Sequence, residues 1–228
     1  MALKWFLRRV IGNLGKKLIR FLESGSINLS GDRDVEWSFV TANISPASGQ
    51  ALDFGCGESY LGLIAAQAGY KVISLDLQPI KWPYCHPNLQ FQQEDILDVD
   101  FPEGSFDLII NCSSIEHIGL AGRYGQRENY LDGDLEVMTK MRRLLKTTGR
   151  MLLTIPIGKD AVFPQLHRVY GKERIQKLLK DYTVEKKEFW IKNNKNKWVL
   201  SEESVALEKV PREDFYCLGC FILRPKSK

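Results

Sequence analysis

Nowhere in its 228 residues does the sequence hold an apolar run near the ~20 residues a membrane-spanning helix requires. Leu3 to Leu22 comes closest, but Arg8, Arg9, Asn13, Lys16 and Lys17 interrupt it, which argues against a cleavable signal peptide. Cysteine is sparse, odd in number and scattered: Cys56, Cys85, Cys112, Cys217 and Cys220. In a chain long enough to build its own core, this points to a reducing compartment rather than a disulfide scaffold. Cys217 and Cys220 have the spacing of a metal or redox pair, yet Phe215 to Leu223 reads as a strand. Residues i and i+3 of a strand face opposite ways, so no metal site is expected there. Internal repeats and low-complexity segments are also missing.

Acidic residues are absent from positions 1–22, which carry Lys4, Arg8, Arg9, Lys16, Lys17 and Arg20. The chain is net +4, so everything after this segment is net negative. A nucleic-acid enzyme places its basic charge around the active face, and no nucleic-acid partner is expected. Leu3, Leu7, Val10, Leu14, Leu18 and Phe21 recur at helical spacing, which predicts a basic amphipathic helix over 1–27. Such a helix can lie on an anionic membrane surface; packed on the domain instead, its lysines would merely be solvated. The expected organisation is this helix followed by one domain over 28–228. The expected location is cytoplasmic, with peripheral contact at the inner membrane face through residues 3–22.

Asn28 to Asp34 reads as a polar linker and Val35 to Ile44 as a short helix. From Gln50 onward strand and helix alternate: Ala51 to Phe54, helical Tyr60 to Ala68, Lys71 to Leu75, and a weaker strand Leu89 to Gln93. Phe106 to Asn111 precedes a helix over Leu135 to Leu145, and Arg150 to Ile155 is a strand stopped by Pro156. Gly171 to Leu179 is helical, Thr183 to Ile191 a strand, Lys192 to Lys197 a turn, and Phe215 to Leu223 a final strand. This alternation predicts a doubly wound α/β fold, a mostly parallel sheet finishing antiparallel at one edge.

The stretch ALDFGCGESYLGLIAAQAG carries the strongest chemical signal. Gly55 and Gly57 lie between a strand and a helix, where a missing Cβ lets backbone approach a ligand. Asp76 ends the next strand about twenty residues on, where a carboxylate can accept from ribose hydroxyls. Glu94-Asp95-Ile96 follows the next strand, where an adenine edge would lie. Each acid alone could be a cap or turn former; three in order after successive strands argue for a nucleoside cofactor. A nicotinamide-dependent reductase is the rival reading, but Tyr60 stands where its G-x-G-x-x-G pattern needs the last glycine.

These residues resemble the Rossmann-like S-adenosylmethionine-dependent methyltransferases over roughly residues 35–160. The match runs through Asp53-Phe-Gly55-Cys-Gly57, Asp76, Asp95-Ile96, FDLIINCSSIEH and LLKTTGRMLLTIP. Ser59 departs from it, standing where many members carry a third glycine. The resemblance implies a seven-stranded Rossmann-like sheet with an antiparallel last strand, and S-adenosyl-L-methionine as cofactor. Asp53, Gly55, Cys56 and Gly57 would hold the methionine end, Asp76 and Leu77 the ribose, Asp95 and Ile96 the adenine. Asn111 and Ser113 would complete the cofactor site.

CSSIEHIGLAGRYG, after the fourth strand, then falls beside the switch point of the sheet, where ligands bind. His117 is the candidate base for a hydroxyl acceptor and Glu116 its orienter; a structural histidine is the plain alternative. Farther on, EHIGLAGRYG, DGD at 132 to 134 and IPIGKDAVFPQLHRVYG resemble a methyltransferase-like family, largely of unknown function, found in bacteria and nematodes. Its bacterial members are often associated with surface-polysaccharide genes, and its usual pattern is one residue shorter at LAGRYG. Arg123, Tyr124, His167, Arg168 and Tyr170 could read a sugar or carboxylate; Asp132 and Asp134 are expected to cap the next helix rather than bind metal. The expectation is methyl transfer to a small polar acceptor such as a glycan hydroxyl. A non-catalytic scaffold keeping the same fold is the reading from another class.

Overall fold

The computed structural model describes residues 29–122, 124 and 130–226. The amphipathic helix expected over 1–27, with Arg123 and Gly125, lies outside them. Helix α1 spans Asp32–Asn43, β1 Gln50–Phe54, α2 Leu61–Gln67, β2 Lys71–Asp76 and β3 Leu89–Gln93. Then come β4 (Phe106–Cys112), a 3-10 turn (Ile115–His117), α3 (Gly133–Leu144) and β5 (Leu145–Ile157). The chain continues through β6 (Ala161–Phe163), β7 (His167–Val169), α4 (Lys172–Leu178), β8 (Tyr182–Lys192), β9 (Trp198–Ser201), α5 (Glu203–Leu207) and β10 (Cys217–Pro225).

Eight strands form one sheet in the order β3-β2-β1-β4-β5-β10-β8-β9. The five strands from β3 to β5 are parallel, and β10 runs antiparallel between β5 and β8. The doubly wound, mostly parallel sheet is thus as expected, with one more strand. That strand, β9, is a four-residue edge paired with β8, and its Leu200 points into solvent at 63 % exposure. Without a buried face it has no apolar alternation to announce it.

Each face of the sheet is covered. Leu52, Phe54, Ile109 and Leu153 pack against Val137, Met138 and Met141 of α3 and against α4 and α5. On the other face Ala51, Val72, Ile110 and Leu152 meet Phe39 and Val40 of α1 and Leu61 and Ala65 of α2. Period-two alternation sorts the strands between the two cores. Cys217 joins the first core and Cys220 the second, as expected for a strand, and all five cysteines are free.

Two elements depart from expectation. Pro156 does not stop β5: it pairs with Leu218 of β10, and its carbonyl accepts from Tyr170 N–H at 3.0 Å. Proline lacks only the donor, and its acceptor is used. The segment after β5 is not plain loop either. β6 and β7 form an antiparallel hairpin with Phe163 opposite His167, and it packs beside the 3-10 turn. Three-residue strands are too short to show a period.

Candidate active site

The chain crosses the sheet between β3 and β4, so β1 and β4 flank the point where strand order reverses. Beyond their carboxyl ends lies a cavity of about 360 Å³, a size suited to a small-molecule ligand. Among the described residues its wall carries five carboxylates, Asp53, Glu58, Asp76, Glu94 and Asp95, against one guanidinium, Arg33. That imbalance favours a ligand rich in hydroxyls or carrying positive charge.

The glycine turn is built by backbone. Gly55 N–H donates to Leu75 O at 2.8 Å, fastening the turn to the end of β2. Gly55 and Gly57 have φ of +62° and +48°, left-handed values that a side chain strains to adopt. A Cβ on Gly55 would strike the Ser114 hydroxyl, whereas one on Gly57 would meet nothing within 4 Å. Gly57 therefore opens onto free space in which a ligand can touch backbone.

Asp76 accepts Gly57 N–H on Oδ2 and Gln78 N–H on Oδ1, each at 2.9 Å. A carboxylate has about four acceptor positions, so two remain for ribose hydroxyls. Asp95 accepts from Leu97 N–H at 2.9 Å on Oδ1, which fixes the carboxylate beside buried Ile96. Asp53 is committed differently. Its Oδ2 accepts from Ser74 at 3.1 Å and from the Gly62 amide, bracing β1 against β2 and α2, and burial pushes its carboxyl up to about 7. It floors the cavity as a strut under the turn.

Ser113 also lines the cavity, with a φ of +52° that turns the chain sharply off β4. Its hydroxyl donates to Glu116 Oε1 at 2.7 Å. His117 lies on the wall with its ring edge-on to Tyr124, centroids 4.9 Å apart. Its Nδ1 stands 2.6 Å from Leu166 O. A carbonyl can only accept, so Nδ1 carries the hydrogen and the neutral ring keeps its lone pair on Nε2. Glu116 Oε1 is 3.8 Å from that Nε2.

Of the expected cofactor residues, Asp53, Gly55, Cys56, Gly57, Asp76, Leu77, Asp95, Ile96 and Ser113 line this one cavity. Asn111 does not. Strand alternation puts it on the Ile109 face, where its amide meets Met138 and Met141 sulfurs at 3.9 and 3.6 Å.

The acceptor set needs larger correction. Tyr124 lines the cavity, but His167, Arg168 and Tyr170 are buried outside it. His167 packs edge-on to Tyr216, and Tyr170 is wholly buried in the core beneath α3. Arg168 donates to the carbonyls of Glu116, Ile118, Tyr130 and Leu131. It latches both ends of the loop after β4 and has no room to read a substrate. Asp132 and Asp134 make no side-chain cap on α3. Both instead bind Arg174, and Asp134 is fully buried. Among the described residues, no three His, Cys, Asp or Glu side chains are grouped to hold a metal ion.

Several residues of the wall and of the structure behind it escaped the sequence reading. Arg33 and Trp37 reach the cavity from α1, and behind them Glu36 is fully buried. In the β2–β3 connector, Trp82 and Tyr84 stack at 5.4 Å and donate to Gly57 O at 3.0 Å and Ser59 O at 2.5 Å. The sequence K-W-P-Y held their only signal, two large aromatics in a connector.

The fold is that of the Rossmann-like S-adenosylmethionine-dependent methyltransferases to which the chain is similar. A 1,6-didemethyltoxoflavin-N1-methyltransferase of Burkholderia thailandensis, solved with S-adenosylhomocysteine bound, superposes with a TM-score of 0.59. It is 14 % identical, and the match covers 97 % of this chain and 88 % of that one. A putative S-adenosylmethionine-dependent methyltransferase from Listeria monocytogenes gives 0.54 at 13 % identity, over 84 % of this chain and 98 % of its own. In sequence, a ubiquinone biosynthesis O-methyltransferase of Xanthomonas axonopodis pv. citri (strain 306) is 25 % identical over 175 residues, 70 % of this chain and 67 % of the relative. EEF1A lysine methyltransferase 4 of Mus musculus is 27 % identical over 146 residues, 60 % of this chain and 56 % of the relative. Residues 92–210 match the family described as Caenorhabditis protein of unknown function, DUF268. The chain belongs to that family.

Proposed function

We propose that this protein transfers the methyl group of S-adenosyl-L-methionine to a hydroxyl of a small polar acceptor. The observation that carries the reading is convergence: acids ending β1, β2 and β3 and the glycine turn share one cavity with His117. When bound, the cofactor supplies an activated methyl carbon on a sulfonium. Asp76 would accept from the ribose hydroxyls, Asp95 and the Ile96 backbone would meet the adenine, and Gly57 leaves space for close approach. Arg33, the one cation on the wall among the described residues, would pair the amino-acid carboxylate.

His117 Nε2 takes the acceptor proton, while the Nδ1 hydrogen bond to Leu166 O holds the ring in the required tautomer. Glu116, 3.8 Å away, favours the imidazolium that forms. Trp37, Ile118 and Tyr124 also line the cavity and would shield the reacting atoms from water once the ligands are seated. The acceptor we favour is a sugar hydroxyl of a surface polysaccharide or lipid-linked glycan precursor, reached at the inner membrane face through the basic segment 3–22. With the three buried residues removed from the acceptor set, Tyr124, the 3-10 turn and Arg123, which lies outside the described residues, are left to recognise it. Calorimetric titration with S-adenosylmethionine tests the cofactor: no heat at millimolar ligand returns the chain to the scaffold reading. Radiolabelled transfer to envelope extracts, with products identified by mass, tests the acceptor; labelled protein in place of glycan overturns that choice.

A further inference from the structure

Glu36 of α1 is an acid where the fold asks for none. Phe39 and Val40 of the same helix pack into the core, and Glu36 is buried as deeply as they are. An apolar side chain would fill this position, whereas a carboxyl there carries a desolvation cost that a single ion pair seldom recovers. Its partners account for it. Oε1 accepts from the Thr154 hydroxyl of β5 at 3.0 Å, and Oε2 from Arg33 Nη1 at 2.8 Å. Thr154 stands in register with Cys112, the last residue of β4, so Glu36 is tied to the sheet beside the point where strand order reverses. Arg33 lies one turn earlier on α1. Its side chain is 46 % exposed against 0 % for Glu36, and it lines the cavity. A buried acid is thus joined to an open cation at the ligand space.

We propose that Glu36 is a positioning residue for Arg33, holding the guanidinium so that its remaining edge meets the amino-acid carboxylate of S-adenosylmethionine. The proposal rests on the cofactor reading above and adds the residue that aims its cation. A guanidinium is a planar fork of N–H donors. With Nη1 committed to Glu36, Nε and Nη2 form an edge able to take a carboxylate in two parallel bonds. An arginine side chain near solvent otherwise has many rotamers to lose on binding. Anchoring one nitrogen removes much of that cost before the cofactor arrives.

The start of α1 is fixed in support. Lys192 of β8 donates to the Ser30 carbonyl, which ties the helix entry to the antiparallel side of the sheet. Asp32, the neighbouring acid, accepts the Arg33 backbone N–H on Oδ1 at 2.8 Å, and its Oδ2 lies 3.5 Å from the Tyr216 hydroxyl. Among the described residues, the hydrogen bond that holds the Arg33 fork is therefore the one to Glu36. Burial pushes the Glu36 carboxyl up to about 7, with Arg33 opposing. Charged or neutral, its Oε2 can accept from Nη1, so a glutamine keeps the anchor.

The test compares ligands that differ by one group: S-adenosylmethionine and its decarboxylated analogue, each titrated by calorimetry into the full chain. Wild type should prefer S-adenosylmethionine by about tenfold or more, the worth of a charge-assisted pair. Glu36→Met keeps the volume and removes the anchor. It should cut affinity for S-adenosylmethionine about tenfold and leave the decarboxylated analogue within about twofold. Glu36→Gln should restore most of the preference, since its amide oxygen accepts from Nη1 and its NH₂ donates to Thr154. In an R33A background, E36M should leave the ratio of the two affinities unchanged, because Glu36 acts through Arg33. Where E36M does not fold, Thr154→Val serves: it loosens the other end of Glu36 and should lower the preference about threefold. A merely structural pair would lower the melting temperature and weaken both ligands together with the preference intact, and that result overturns the proposal. A wild type that binds neither ligand sinks the cofactor reading itself. One that binds S-adenosylmethionine with a preference that E36M leaves unmoved sinks only the role of Glu36.

Discussion

The two halves of the cavity are built on different terms. On the cofactor side, Asp76, Asp95 and the glycine turn come straight off strand ends, and main-chain groups set their geometry. On the acceptor side, His117 sits on a 3-10 turn whose position depends on the hairpin β6–β7. Strand ends inherit precision from the sheet. The acceptor loop borrows it from Leu166 and Arg168, about fifty residues farther along the chain. One half is read from adjacent residues and the other only from long-range contacts.

The largest effect that would sharpen this contrast is at Asp76. D76N should weaken S-adenosylmethionine binding about 100-fold by calorimetry, since it removes charge-assisted acceptance from ribose and loosens the Gly57 amide. Equal affinity would break the comparison at its firmest point. H117A should do the reverse, lowering turnover ~10²-fold or more with cofactor affinity within about twofold. If both parameters fall together, the 3-10 turn supports the cofactor too and the halves are not separate.

Arg168 gives the next test. As a substrate reader it would change KM with little effect on folding. As a latch on four carbonyls, its loss in R168A should cost about 3 kcal/mol of stability and lower the melting temperature by about 6–12 °C. Calorimetry of unfolding decides between them. R168K should recover only part of the loss, because a single ammonium cannot span carbonyls at both ends of the loop.

The same asymmetry explains what the sequence could disclose. Asp53, Asp76 and Asp95 follow apolar strands at regular intervals, so period and spacing expose them. The residues expected on the cofactor side therefore all line one cavity except Asn111, misplaced because facing was not followed along β4. Arg168 and His167 were readable as polar chemistry, but nothing local says that their side chains turn inward to the loop carbonyls and Tyr216. Glu36 had no signal at all. It sits in an ordinary amphipathic helix, and its partner Thr154 lies in β5. Trp82 and Tyr84 likewise have meaning only once the glycine turn is beneath them. The family match, starting at residue 92, falls mostly on the acceptor side, where fold alone says least.

The smallest effect is a slope in stability with pH, and it joins the two halves. Asp53 and Glu36 are each pushed by burial to about 7 in the folded chain, from ordinary values of 3.8 and 4.5. Below those ordinary values both carboxyls are protonated, folded or unfolded, and the advantage of the folded state is fully present. Between roughly pH 4 and 7 the folded chain holds protons the unfolded chain has released, so stability falls as pH rises. D53N, on the cofactor side, and E36Q, behind the acceptor side, should each flatten that slope in denaturant titrations across this range. The double variant should flatten it by about the sum, since Asp53 is braced by Ser74 and Gly62 while Glu36 is held by Arg33 and Thr154, with no shared partner among them. A double variant no flatter than either single one would mean that the two buried acids respond as a unit and the cavity is one electrostatic body.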